Sequence, residues 1–139
     1  MGKDVVVIGG SLVGLELAEW LAERGRNVTL VEAGQQLGIP MAMPRRWTAV
    51  RKAGDLGVTI HRKATVTRIT ADEVEFTVGE EKLSAPASMV VFAADTHAGA
   101  PLAEELAAAG VSVEVVGDAG EVNYIEGAIH SAWKFARTF

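Results

Sequence analysis

The rhythm of apolar and polar positions changes repeatedly along the chain, and each change marks an element. Val5-Val6-Val7-Ile8 is an uninterrupted β-branched run closed by Gly9-Gly10, the pattern of a parallel strand covered on both faces. From Leu12 to Arg24 the period becomes helical. Val13, Leu17 and Leu21 share a stripe with Ala18, Glu16, Glu19 and Glu23 lie on another, and Gly25 supplies a stop. Asn27 to Glu32 is a second buried run, so residues 3–32 read as a β-α-β unit with a right-handed crossover.

Gly34 to Pro44, rich in glycine and proline, reads as a surface loop, followed by a helix over Arg45 to Leu56 that Gly57 ends. Val58 to His61 is a third strand. Then Val74, Phe76 and Val78 alternate with Glu73, Glu75 and Thr77, the period of two that marks an antiparallel meander with one wet face. Met89 to Ala93 returns to a buried strand, Leu102 to Ala109 is a short helix, and Val113 to Val116 reads as a last strand before Gly117-Asp118. In the tail, Asn123 and Glu126 have the spacing of a capping box, and Ile125, Ile129, Ala132 and Ala136 continue at helical spacing. The sum predicts an α/β fold: a Rossmann-like parallel sheet with helices on both faces and an inserted antiparallel β-meander at about residues 64–84. Residues 1–112 form its main domain and residues 113–139 a closing segment.

Composition narrows the chemistry. A chain of 139 residues, 49% hydrophobic and 22% charged, has the makeup of a folded domain, and no apolar run approaches the ~18 residues of a membrane span. A net charge of −5 argues against nucleic acid as a partner and requires any anionic ligand to be held by a local site. With no cysteine, the chain has no disulfide, thiolate nucleophile or Cys-ligated iron–sulfur cluster, so redox chemistry must come from a bound cofactor. The start, Met1-Gly2-Lys3-Asp4, carries no basic or cleavable apolar segment, as expected equally of a cytoplasmic protein or of a chain whose start has been trimmed.

Gly9-Gly10-Ser11-Leu12-Val13-Gly14 follows a strand and opens a helix, the context that gives a glycine pattern meaning. Gly9 permits the tight turn and Gly14 lets helix and strand approach closely. The helix start offers N–H groups and a positive dipole end to a pyrophosphate. Ser11 stands where the usual pattern has its middle glycine; its hydroxyl either donates to a phosphate or merely caps the helix. Glu32 ends the second strand 18 residues after Gly14, where a carboxylate accepts hydrogen bonds from ribose hydroxyls and repels a 2′-phosphate. With Ala33 beside it, this end selects NAD(H) over NADP(H). Arg45-Arg46 could meet such a phosphate but lie well past the strand end. His61, His97 and His130 lack metal-ligand spacing, and Asp95 with His97 has no nucleophile elbow, so neither a metal site nor a catalytic residue is expected.

Val5 to Ala18 resembles the second dinucleotide motif of the two-dinucleotide-binding flavoprotein reductases. Within them the likeness is to the C-terminal part of the 2,4-dienoyl-CoA reductase-like NADH:flavin oxidoreductases, relatives of trimethylamine dehydrogenase. It extends to Met43-Pro44-Arg45-Arg46-Trp47, to Met89 to Ala93, and to Val115-Val116-Gly117-Asp118-Ala119 followed by Glu126 to Ala132. The resemblance implies an NAD(H) domain, with residues 113–139 as the return segment of a flavin domain and Asp118 beside FAD in the intact parent. Ala93-Ala94-Asp95-Thr96 replaces the Ala-Thr-Gly turn usual in that family. The chain has no strand-glycine-helix unit for FAD, no FMN barrel and no cysteine cluster. It therefore reads as a fragment that binds NADH and works with missing flavin and barrel domains, inactive alone.

The rival expectation is a non-catalytic module that binds ADP, another nucleotide or a protein. Trp133, Phe135 and Phe139 make the tail aromatic, which implies docking on the same domain or a homodimer through the C-terminal helix.

Overall fold

The computed structural model describes residues 2–94 and 96–138, so the expectations for Asp95 and for Phe139 lie outside the described residues. The chain forms two compact units, Met1–Asp95 and Thr96–Phe139.

The first unit is built on a four-stranded sheet, ordered β3-β2-β1-β7 and parallel throughout. Its strands are β1 (Asp4–Ile8), β2 (Asn27–Glu32), β3 (Thr59–Arg62) and β7 (Met89–Phe92). The continuous apolar run puts β1 in the centre, where Val5, Val6 and Val7 are almost fully buried. Helices α1 (Leu12–Glu23) and α2 (Met43–Asp55) cover one face, with Leu15, Ala18, Leu21 and Ala53 packed on Val5, Val7, Val28 and Leu30. The sequence pattern places helices on both faces. In this unit the second face belongs instead to the antiparallel meander β4 (Ala64–Ile69), β5 (Glu73–Val78) and β6 (Glu81–Pro86). Val74, Phe76 and Ala85 of the meander meet Val6, Ile8 and Val31 of the sheet, so the period-two stripe is buried and its glutamates face outward.

The 34–42 segment is less of a surface loop than its glycines and prolines suggest. Leu37 and Met41 join the helix-side core, and the Gly38 N–H donates to the Gly10 carbonyl at 2.7 Å. Its apolar residues are spaced irregularly, so periodicity does not reveal them.

Glu19, Glu23 and Lys52 join α1 to α2. The Lys52 ammonium lies 2.7 Å from Glu23 and 3.3 Å from Glu19, whose other oxygen is buried with no hydrogen-bond partner among the described residues. The hydrogen bond to Lys52, and then its charge, hold the Glu23 carboxyl below its usual range. The bonds to Glu23 and Glu19 raise the Lys52 ammonium above its own. Both shifts favour folding near neutral pH. The Glu23 contribution fades as pH falls through its depressed pKa, and the Lys52 contribution as pH rises through its raised one. Lys52→Gln is therefore expected to lower the melting temperature more at pH 7 than Arg51→Gln, which removes only an exposed 3.8 Å pair with Asp55. The gap should narrow in acid. Thermal melts of both variants at pH 7 and pH 3 would check this, and equal losses at pH 7 would refute it.

The second unit holds α3 (Pro101–Ala108), a short 3-10 turn (Gly117–Ala119) and α4 (Tyr124–Ala136). Val113 to Val116, expected as a strand, belongs to no sheet among the described residues. An apolar run becomes a strand only when it finds an edge to pair with. The expected capping box is also not formed. Asn123 sits at the N-cap of α4, but its side chain makes no cap bond. Its N–H donates instead to Asp118 Oδ1 at 3.3 Å.

Candidate functional site

The turn after β1 is constrained on three sides. Gly9 has φ of +102°, a left-handed conformation that glycine adopts without strain, and a Cβ there would come within 2.7 Å of the backbone joining Ala93 to Ala94. Gly14, in the first turn of α1, has its Cα against the Gly9 carbonyl, so any Cβ would collide with that oxygen. Glycine at these two positions lets α1 start directly over the end of β1.

Glu32, at the end of β2, holds this turn in place. Its Oε2 accepts the Gly10 N–H and its Oε1 accepts the Gly34 N–H, each at 2.5 Å. One carboxylate thus ties the glycine turn to the loop after β2. Each oxygen keeps a further lone pair, so ribose hydroxyls can still donate to it.

Two cavities meet at Ser11 and Glu32. The larger, about 520 Å³, runs from Gly9, Ser11 and Ala33 across to the meander at Thr65, to Phe92 at the end of β7 and to Ala94 beyond it. The smaller, about 290 Å³, is bounded by Gly34, Gln35, Gln36 and Ile39. Elongated and divided by a carboxylate, the pair suits a ligand with two halves better than a compact one. Sequence reasoning did not identify the meander residues that line the larger cavity, whereas Phe92 and Ala94 fall in segments that the family resemblance singles out. The meander residues come from strands far along the chain, and no local pattern flags them.

The expected site residues fall in different places. Gly9, Ser11, Glu32 and Ala33 line the larger cavity; Gly10 is buried behind Glu32. Ser11 occupies the N-cap position of α1, yet its hydroxyl makes no cap bond, so the capping role does not occupy that side chain. Leu12 corrects one expectation. Its N–H, expected to be open to a pyrophosphate, donates to the Ile39 carbonyl at 2.9 Å, and its side chain packs on the core. The Val13 side chain is exposed, and no acceptor for its N–H is found among the described residues. Arg45 pairs with Glu16 at 2.9 Å, while Arg46 donates to Gln36 Oε1 at 3.3 Å.

Asp118 belongs to the second unit. Beside it the Gly117 N–H donates to Ser131 Oγ at 2.8 Å, and that hydroxyl donates to the Ala128 carbonyl at 3.0 Å. Ser131, which sequence reasoning did not single out, thus fastens the Gly117-Asp118 turn to α4. Among the described residues no group of three acidic or histidine side chains could hold a metal ion, and no helix is long and apolar enough to cross a membrane.

The profile of the pyridine nucleotide-disulphide oxidoreductase family matches residues 1–94. An NADH oxidase of Thermoanaerobacter brockii is 32% identical over 136 residues, which cover 96% of this chain and 21% of that protein. Two solved structures superpose on nearly the whole chain. A 2-naphthoyl-CoA reductase in complex with 2-naphthoyl-CoA gives a TM-score of 0.85 at 29% identity, covering 96% of this chain and 21% of the other. The histamine dehydrogenase of Rhizobium sp. 4-9 gives 0.86 at 28%, covering 98% and 22%. The chain spans about a fifth of the length of these relatives.

Proposed function

The chain belongs to the pyridine nucleotide-disulphide oxidoreductase family, and from that premise we propose that it is the NAD(H)-binding part of a larger flavin-dependent oxidoreductase. The observation that carries the reading is Glu32, held by the N–H groups of Gly10 and Gly34 where the two cavities meet. In this reading the pyrophosphate lies over the Gly9–Gly14 turn, near the Ser11 hydroxyl and the Val13 N–H. The adenosine ribose donates to Glu32, and the smaller cavity takes the adenosine half. The nicotinamide half enters the larger cavity, whose walls at Thr65, Phe92 and Ala94 orient it and exclude water. Bound there, NADH would supply the hydride for a flavin held by other parts of the parent protein. The residues fit a dinucleotide: with no Cβ at Gly9 or Gly14 to strike backbone, α1 starts directly over the end of β1, beside the cavity that Gly9 and Ser11 line.

Residues 113–139 fit a return segment that completes a flavin domain. Ile125, Ile129 and Trp133, at helical spacing on α4, are all exposed and suit a partner domain within the parent protein or a second copy of this chain. One observation favours the rival reading of a weakened, non-catalytic ADP-binding module: the Leu12 N–H already has an acceptor, so the diphosphate of ADP and that of a dinucleotide alike find one donor fewer.

Calorimetric titration with NADH and ADP separates the readings. NADH is expected to bind more tightly than ADP, and Glu32→Ala to weaken NADH about tenfold or more, as loss of hydrogen bonds to a charged acceptor does. Equal affinity for the two ligands would favour the ADP module. Binding of neither would overturn the proposal.

A further inference from the structure

On the helix side of the sheet a depression of about 290 Å³ adjoins the smaller cavity, and Gln36 lines both. Its walls include Arg46, Arg51, Arg62 and Trp47, the last 68% exposed. Arg62 is the register partner of Glu32 across the parallel β2–β3 pair, so the two side chains leave the sheet on the same face, at the same strand ends. The Lys63 N–H donates to the Gly34 carbonyl at 3.0 Å and fastens the end of β3 to the loop after β2. Arg62 is exposed and, among the described residues, its guanidinium has neither an ion pair nor a hydrogen bond. Arg46 reaches the same depression and contacts Gln36, while Arg51 is shared with Asp55 at 3.8 Å.

Glu32 alone would reject a ribose that carries a phosphate. Here its charge is set beside guanidinium groups whose planar forks match phosphate oxygens. We propose that Arg62, supported by Arg46, receives a phosphate on the adenosine ribose, so that the site admits NADPH alongside NADH despite Glu32. This rests on the dinucleotide reading above. In a shared pose the ribose lies at the ends of β2 and β3. Its hydroxyls then face Glu32 when unphosphorylated, and its 2′-phosphate turns toward Arg62 when present.

The test is calorimetric titration of the 139-residue chain with NADH and NADPH at one fixed salt concentration, for the wild type, Arg62→Ala and Arg62→Glu. The readout is the ratio of the two affinities, which a merely structural loss would leave unchanged because it weakens both ligands alike. NADPH is expected to bind the wild type within about tenfold of NADH, and Arg62→Ala to cut the NADPH:NADH ratio about tenfold or more, as removing a charged phosphate contact does. Arg62→Glu should cut it further. A wild type that binds NADH but discriminates against NADPH by about a hundredfold or more overturns the inference and leaves the functional reading standing. So does a ratio that Arg62→Ala does not move. Failure of both ligands to bind overturns both.

Discussion

Gly14→Val is expected to reduce NADH binding more than a hundredfold and to destabilise the first unit by about 1–3 kcal/mol, the usual cost of overpacking a tight contact. The Gly14 Cα rests against the Gly9 carbonyl, with the Ala93 side chain next in line. The added atoms meet backbone, which cannot swing aside as a side-chain tip can. Relief therefore requires α1 to lift from the end of β1. That movement takes Ser11 and Val13 away from Glu32 and opens the turn that would hold the pyrophosphate. Urea denaturation with a parallel NADH titration reads both effects. A variant that unfolds like the wild type and binds within tenfold of it would remove this close approach from the account of the site.

Phe76→Ala should have the largest effect on stability, about 3–5 kcal/mol, as for other fully buried aromatic side chains. Phe76 is 1% exposed at the centre of β5, in the cluster that joins Val74 and Ala85 to Val6, Ile8 and Val31. Its ring also lies 4.7 Å from that of His61 on β3, so it fills the space between meander and sheet. Its removal leaves a void that β4 and β6, paired to β5 on either side, can close only by losing register. Hydrogen exchange should show the amides of β4–β6 losing protection ahead of those of β1. A loss under about 1 kcal/mol would mean that the meander is held by its backbone pairing and not by this packing.

Much of this architecture was legible because each face of the sheet imposes its own period. The unbroken Val5 to Ile8 run specifies a strand covered on both sides, and the alternation of Val74, Phe76 and Val78 with polar residues specifies a strand with one wet face. Neither pattern says what covers a face, so the sequence could not show that the meander would take the side where helices were expected. Val113 to Val116 has the composition of a strand, but pairing depends on an edge, which composition does not encode. The site was legible in part for a similar reason. The glycine turn and Glu32 lie within one β-α-β unit, where spacing in sequence is spacing in the fold. Arg62 is far from Glu32 along the chain and becomes its neighbour only through the β2–β3 register. Arg46 likewise lies well past the end of β2, and reaches the same region because the 34–42 segment folds back over the glycine turn.

The two N–H bonds that Glu32 accepts also bear on how affinity is divided between holding a ligand and organising a site. In many nucleotide sites the phosphate itself orders a glycine-rich loop, and part of the interaction energy is consumed in freezing that loop. Here the chain folds with Gly10, Gly34 and the end of β2 already locked to one carboxylate. The adenosine half of a dinucleotide therefore meets a surface whose entropy loss was incurred when the sheet formed. On the proposed reading, its binding energy would remain for orienting the distant nicotinamide, the half on which hydride transfer would depend.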